Sequence, residues 1–211
     1  SMNTGFLLII IIGVVGFIVQ SRLQSVFGKY SKVLAPEGMT GREAAEKMLR
    51  DYGIRDVKVV STKGHLTDHY NPSNKTLNLS SSVYNSNSVA ALAVAAHECG
   101  HAVQHAEGYT PLRMRSALVP VVQSSSTFAQ IFLILGLLLI NVFPALFWLG
   151  IAMFVMVVLF SVITLPVEYN ASSRALAWLE RSHSLAPVQV EQASVTLKLT
   201  VYSTPLSTVL R

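Results

Sequence analysis

Charge is scarce in this chain. Only 13% of its 211 residues are Asp, Glu, Lys or Arg, while 51% are apolar. Such a balance excludes a solvated, disordered polymer and points to a membrane protein. There is a single cysteine, Cys99, which excludes an internal disulfide framework. The formal net charge is +5, yet no dense Lys/Arg run is interleaved with aromatics. Nucleic acid is therefore not an expected partner, and the basic residues are better explained by membrane topology. Internal repeats and low-complexity linkers are also missing.

What is present are long apolar runs. The first extends from Gly5 to Val19 and is closed by Gln20, Ser21 and Arg22. No Lys or Arg precedes it and no A-x-A site follows, so it is expected to be a retained anchor rather than a cleaved signal peptide. From Arg115 to Glu168 there is no charged residue between the two ends. That interval accommodates two spanning helices, Ser126–Ile140 and Ala145–Leu165, with Asn141-Val142-Phe143-Pro144 as the turn. Every Lys and Arg follows the first span and none separates the second from the third. The positive-inside rule then puts the polar middle and the tail in the cytoplasm and the N-terminus outside.

The polar middle, residues 32–115, reads as a small mixed domain. Thr40-Gly41-Arg42-Glu43 is a capping-box pattern for a helix ending near Gly53. Val57–Val60 reads as a strand. Leu66–Tyr70, Asn71–Asn74 and Thr76–Leu79 read as strand, turn and strand. Asn85–Ser88 supplies N-cap candidates for a helix from Val89 to Ala106, closed by Gly108.

That last helix carries His97-Glu98-Cys99-Gly100-His101. Two histidines four residues apart share a helix face and can clamp one metal ion, with zinc the expected one. Glu98 lies about 100° round from His97, beside the metal, where it can take a proton from a zinc-activated water. Cys99 lies about 200° from His97 and is read as packing. His105 sits about 12 Å along the axis from His97, too far to share its ion. Gln104 and Glu107 occupy the positions where a metzincin carries Gly and His, so that class is excluded.

A catalytic zinc takes a third protein ligand and keeps one position open. Glu107, Glu168, Glu180, Glu191 and His183 are candidates. Glu168 is favoured, because it stands where the third span ends, returned by topology to the side of His97. Ser172, one helical turn on, is a candidate for orienting a histidine ligand. His65–Tyr70 is a candidate sheet edge for strand addition, with His69 or Tyr70 donating to the oxyanion.

Several stretches together resemble the YugP-type family of bacterial membrane neutral zinc metallopeptidases. They are Gly38–Gly41, Gly64–Pro72, His97–His101, and Leu165-Pro166-Val167-Glu168-Tyr169-Asn170-Ala171-Ser172-Ser173-Arg174-Ala175. The resemblance implies a gluzincin-type peptidase of the bacterial inner membrane, with one zinc per chain. It implies that His97, His101 and Glu168 are the ligands and Glu98 the base. Many gluzincins place Asp where this chain has Ser172. The tail also departs from the family pattern. Val195-Thr196-Leu197-Lys198-Leu199-Thr200-Val201 alternates with period two and suits a strand better than a spanning helix, with a fourth span, a docked strand and a disordered end all left open.

The expected fold class is thus an α-rich integral membrane protein, with three transmembrane helices and a small α+β zincin-like metallopeptidase domain at the membrane surface. The expected division is an anchor at 5–20, the metallopeptidase domain at 32–115, a transmembrane hairpin at 126–165, a helix with the third ligand at 166–184, and a tail at 185–211. The partners expected are a peptide or membrane-protein substrate and the lipid bilayer; the oligomeric state is left open. Cleavage within the bilayer is a competing enzymatic reading, against which stand the polar flanks Ser86–Ser88 and Gln104-His105. A scaffold with a purely structural zinc is the non-enzymatic one, and it requires a fourth protein ligand.

Overall fold

Side-chain caps set the starts of the two helices that frame the polar domain. In α2 (Gly41–Asp51), the Thr40 hydroxyl accepts from the Glu43 amide at 3.2 Å. In α4 (Val89–Ala106), the Ser88 hydroxyl accepts from the Ala91 amide at 3.2 Å, and Gly108 ends the turn beyond at φ 67°. Each cap satisfies an amide that a helix start otherwise leaves unpaired. The computed structural model describes residues 2–210.

A long α1 (Met2–Tyr30) precedes α2. Between α2 and α4 come β1 (Lys58–Thr62), β2 (His69–Asn71), β3 (Thr76–Ser80) and the single turn α3 (Ser81–Tyr84). The sheet order is β1-β3-β2, with β1 parallel and β2 antiparallel to the central strand. Leu77 and Leu79 of β3 point into a core shared with Ala44, Met48, Leu92, Trp178 and Leu197. After α4 come α5 (Thr110–Leu138), α6 (Pro144–Arg181) and α7 (Pro187–Leu210). The indole of Trp178 donates to Asp51 at 2.7 Å, tying the end of α6 to α2.

Helix α4 is buried along nearly its whole length, from Val89 to Gln104. Its alanines keep the cylinder narrow enough for α2, α6 and α7 to pack around it. Among the described residues, three helices are long and apolar enough to cross a membrane: Ile10–Tyr30, Thr110–Leu138 and Pro144–Arg181. Their outward faces expose Val14, Phe17, Ile134, Leu138, Trp148, Val155 and Val162. A contiguous apolar surface of this extent is not typical of a water-facing protein.

The structure departs from the sequence reading at four places. The tail is helical, not a strand. Ala193, Leu197 and Val201 recur every four residues and are buried, as is Thr196. The apparent period of two arose from counting Thr196 and Thr200 as outward polar positions, whereas their hydroxyls bond to carbonyls of their own helix at 3.3 and 3.0 Å. Secondly, α6 runs unbroken through Pro166, so the third span and the helix expected at 166–184 are one element. Burial of Val167, Ala171, Ala175 and Trp178 outweighs the roughly 3 kcal/mol cost of an internal proline. Thirdly, α1 continues past Gln20-Ser21-Arg22 to Tyr30, because Leu23, Val26 and Phe27 are buried. Fourthly, β2 starts only at His69, since Leu66 has φ 56° and leaves the extended region.

Candidate metal centre

The short loop between α4 and α5 and the hairpin turn between α5 and α6 bring α6 back alongside α4. The contact is close because position 100 is glycine. A Cβ there would lie 2.5 Å from the carbonyl oxygen of Ala171 and 3.0 Å from its Cα. At this crossing Glu168 of α6 meets His97 and His101 of α4. Glu168 Oε2 is 2.8 Å from His97 Nε2, and Oε1 is 3.2 Å from His101 Nε2. The two imidazole rings stand edge to face with centroids 4.9 Å apart. All three side chains are buried, and their ligand atoms lie within 4.8 Å of one another.

Polar partners behind the rings fix how they face. His97 Nδ1 lies 2.8 Å from the Ser172 hydroxyl. The Gln104 amide group donates to the Val167 carbonyl and to Asn170 Oδ1, both at 2.9 Å. A carbonyl only accepts, so the NH₂ of Gln104 faces Val167 and its oxygen faces His101. His101 Nδ1 therefore carries the proton that it donates to Gln104 Oε1 at 2.9 Å. Its Nε2 is left with a lone pair aimed at the Glu168 carboxylate. Two such atoms at that distance share a cation, either a proton or a metal ion. Two imidazole nitrogens and one carboxylate are a donor set that suits Zn²⁺ and leaves a fourth position open. Arg115 of α5 pairs with the same Glu168 Oε1 and supplies a counter-charge from the side.

Glu98 shares the cleft with these groups and is itself buried. Burial pushes its carboxyl up to about 8, with the neighbouring Glu168 adding to the rise and His97 opposing it. A carboxylate so placed holds a proton more readily than one in water. Asp68, also on the cleft wall, is raised by burial against the Ser80 amide that donates to it at 2.7 Å. Cys99 points away; its thiol contacts the Ala45 carbonyl at 3.5 Å and is raised by burial.

The cleft has a volume of about 550 Å³. His69 and Tyr70 of the edge strand β2 line one side. The Tyr70 hydroxyl is 2.7 Å from His105 Nδ1, and burial raises the phenol to about 12. His69 Nδ1 lies 2.9 Å from the Thr67 carbonyl, so it donates there and its Nε2 carries the lone pair. Of the other third-ligand candidates, Glu107 pairs with Arg174 at 2.7 Å. Glu180, Glu191 and His183 do not join the His97–His101–Glu168 group among the described residues.

Three contributors were passed over in the sequence. Gln104 was legible as the residue one helical turn after His101. Arg115 served only as the edge of the charge-free interval. Gly100 has no role in the sequence reading, and nothing local to α4 signals its contact with α6.

The family described as "Putative neutral zinc metallopeptidase" matches residues 5–203. A protein of Bacillus subtilis (strain 168), described as "Putative membrane protease YugP", is 45% identical over 170 residues. That alignment covers 81% of this chain and 74% of the relative. No solved structure matches. With the matched region running almost from end to end, the chain belongs to this family of neutral zinc metallopeptidases.

Proposed function

We propose that the protein is a membrane-bound zinc peptidase that hydrolyses peptide bonds at the cytoplasmic surface of a bacterial inner membrane. The observation that carries this is the buried His97–His101–Glu168 triangle, with Glu98 opening onto the same cleft. Zinc bound by these three side chains supplies a Lewis acid that polarises the scissile carbonyl and acidifies water. Glu98 takes the proton from the attacking water and delivers it to the leaving amine. Ser172 and Gln104 hold the two imidazoles so that their Nε2 atoms face Glu168, and Arg115 orients its carboxylate. Edge strand β2 offers backbone groups to an extended peptide. His69 and Tyr70 contact that peptide; His69 donates to the developing oxyanion only when doubly protonated.

The membrane assignment rests on the exposed apolar faces and on charge. In α1 no charged residue precedes Arg22, and none lies between Arg115 and Glu168. The three apolar helices thus lose their charge at the level of the metal centre. The excess of Lys and Arg on the domain side of that level favours the cytoplasmic orientation.

The test is zinc content by mass spectrometry alongside cleavage of casein by the purified protein in detergent. Glu98→Gln keeps its zinc and loses about 10²–10⁴-fold in rate. Glu168→Ala loses the zinc. Undiminished proteolysis by Glu98→Gln refutes the mechanism.

A further inference from the structure

The cleft does not stop at the level where the helices lose their charge. It continues past Arg22 of α1, Arg115 of α5 and Lys198 of α7 to Gln20, Val119, Thr200 and Ser203. On this uncharged side, the two helices α1 and α7 present an amide and hydroxyls to the cleft instead of aliphatic side chains. The Thr200 hydroxyl donates to the Thr196 carbonyl and that of Ser203 to the Thr200 carbonyl, each at 3.0 Å. With their protons committed to their own helix, both hydroxyl oxygens line the cleft as acceptors. Gln20 is exposed and carries both a donor and an acceptor.

Polar groups on the uncharged side, where the apolar helices α1 and α5 would face lipid in the reading above, have a specific use. A helix within the bilayer satisfies its own amides, but a peptide bond in a helix is not open to attack. Unwinding it there strands N–H and C=O groups where no water can reach them, and such backbone is tolerated only against a polar cavity. Acceptors at Thr200 and Ser203 and the two-way amide of Gln20 match the groups that an unwound turn releases. Leu23, Phe27 and Val94 provide apolar wall between this end and the metal.

We propose that the substrates are membrane proteins, cut beside a transmembrane segment whose last turn unwinds into the Gln20–Thr200–Ser203 end of the cleft. The proposal rests on the peptidase reading above, but its test separates the two.

The probes are a short casein peptide and the same peptide joined to an apolar helix of about 20 residues, both offered to the zinc-loaded protein in phosphatidylglycerol–phosphatidylethanolamine vesicles. The tethered form is expected to be cleaved faster. Gln20→Leu and Ser203→Ala are each expected to lower the ratio of tethered to free cleavage about fivefold, the loss of one or two hydrogen bonds. A second readout needs no turnover. In the Glu98→Gln protein, benzoylphenylalanine at position 20 is expected to photo-crosslink to the apolar helix of the tethered probe. At position 18, about 200° round α1 and also exposed, it is not. Equal crosslinking at both positions, or an unchanged cleavage ratio in both variants, overturns the proposal. Failure to cut either probe refutes the peptidase reading, and crosslinking then still decides the route.

Discussion

Replacing Gly100 by alanine sets two effects of opposite sign against each other. In a helix interior alanine is preferred over glycine by about 1 kcal/mol, so an isolated α4 would gain stability. In the folded protein the new Cβ would sit 2.5 Å from the Ala171 carbonyl oxygen and 3.0 Å from the carbonyl carbon and Cα of the same residue. These are backbone atoms of α6, which cannot swing aside as a flexible side chain would. Restoring ordinary contact requires α4 and α6 to part locally by about 0.9 Å. Overpacking of this kind costs about 1–3 kcal/mol, which outweighs the propensity gain. The displaced segment carries Glu168 and Ser172, whose placement relative to His97 has a working tolerance of about 0.5 Å. The expected outcome is a lower Tm in detergent by circular dichroism and zinc affinity reduced about tenfold or more in a chelator-competition titration. A raised Tm with unchanged zinc affinity would refute the close-approach argument.

Gln104→Leu removes the acceptor that fixes the His101 tautomer; zinc affinity is expected to fall about 10–100-fold with helicity retained, measured by the same competition titration. Arg115→Met leaves the buried Glu168 carboxylate without its guanidinium but with its histidine contacts, so the loss falls below about 3–5 kcal/mol, the cost of a fully unpaired buried charge. Zinc can take over as counter-charge, so thermal denaturation is expected to show a larger drop for the zinc-free protein than for the loaded one; equal drops would count against this role. Zinc at about a thousand times its Kd is expected to stabilise the wild type by about 4 kcal/mol over the chelated form. Differential scanning calorimetry should give Glu98→Gln a similar gain and Glu168→Ala none.

Much of the site was readable because it is local. The four-residue spacing of His97 and His101 needs only the helical period, and Ser88 and Gly108 mark the ends of that helix on chemical grounds. The charge-free interval from Arg115 to Glu168 likewise announces an apolar hairpin without any tertiary information. Reading failed where local signals compete. In the tail, threonines looked like outward-facing strand positions, although a helix absorbs their hydroxyls by bonding them to its own carbonyls. At Pro166 a span ending at Leu165 and a new helical run or a kink are expected, yet packing on both sides carries α6 through as one helix.

By itself, then, the sequence determined the shared face of His97 and His101 on α4, the caps around it and the apolar helices flanking the domain, because each depends on residues within a few turns of one another. The sequence favoured Glu168 as the third member of the group, and the tertiary structure brings that carboxylate against the two histidines. Glu168 reaches His97 across 71 residues of chain. It arrives there because α6 can approach α4 only where Gly100 removes a side chain. The pairing of Arg115 with Glu168 and the orientation of the Gln104 amide follow from that same approach, since Glu168, Val167 and Asn170 all lie on α6.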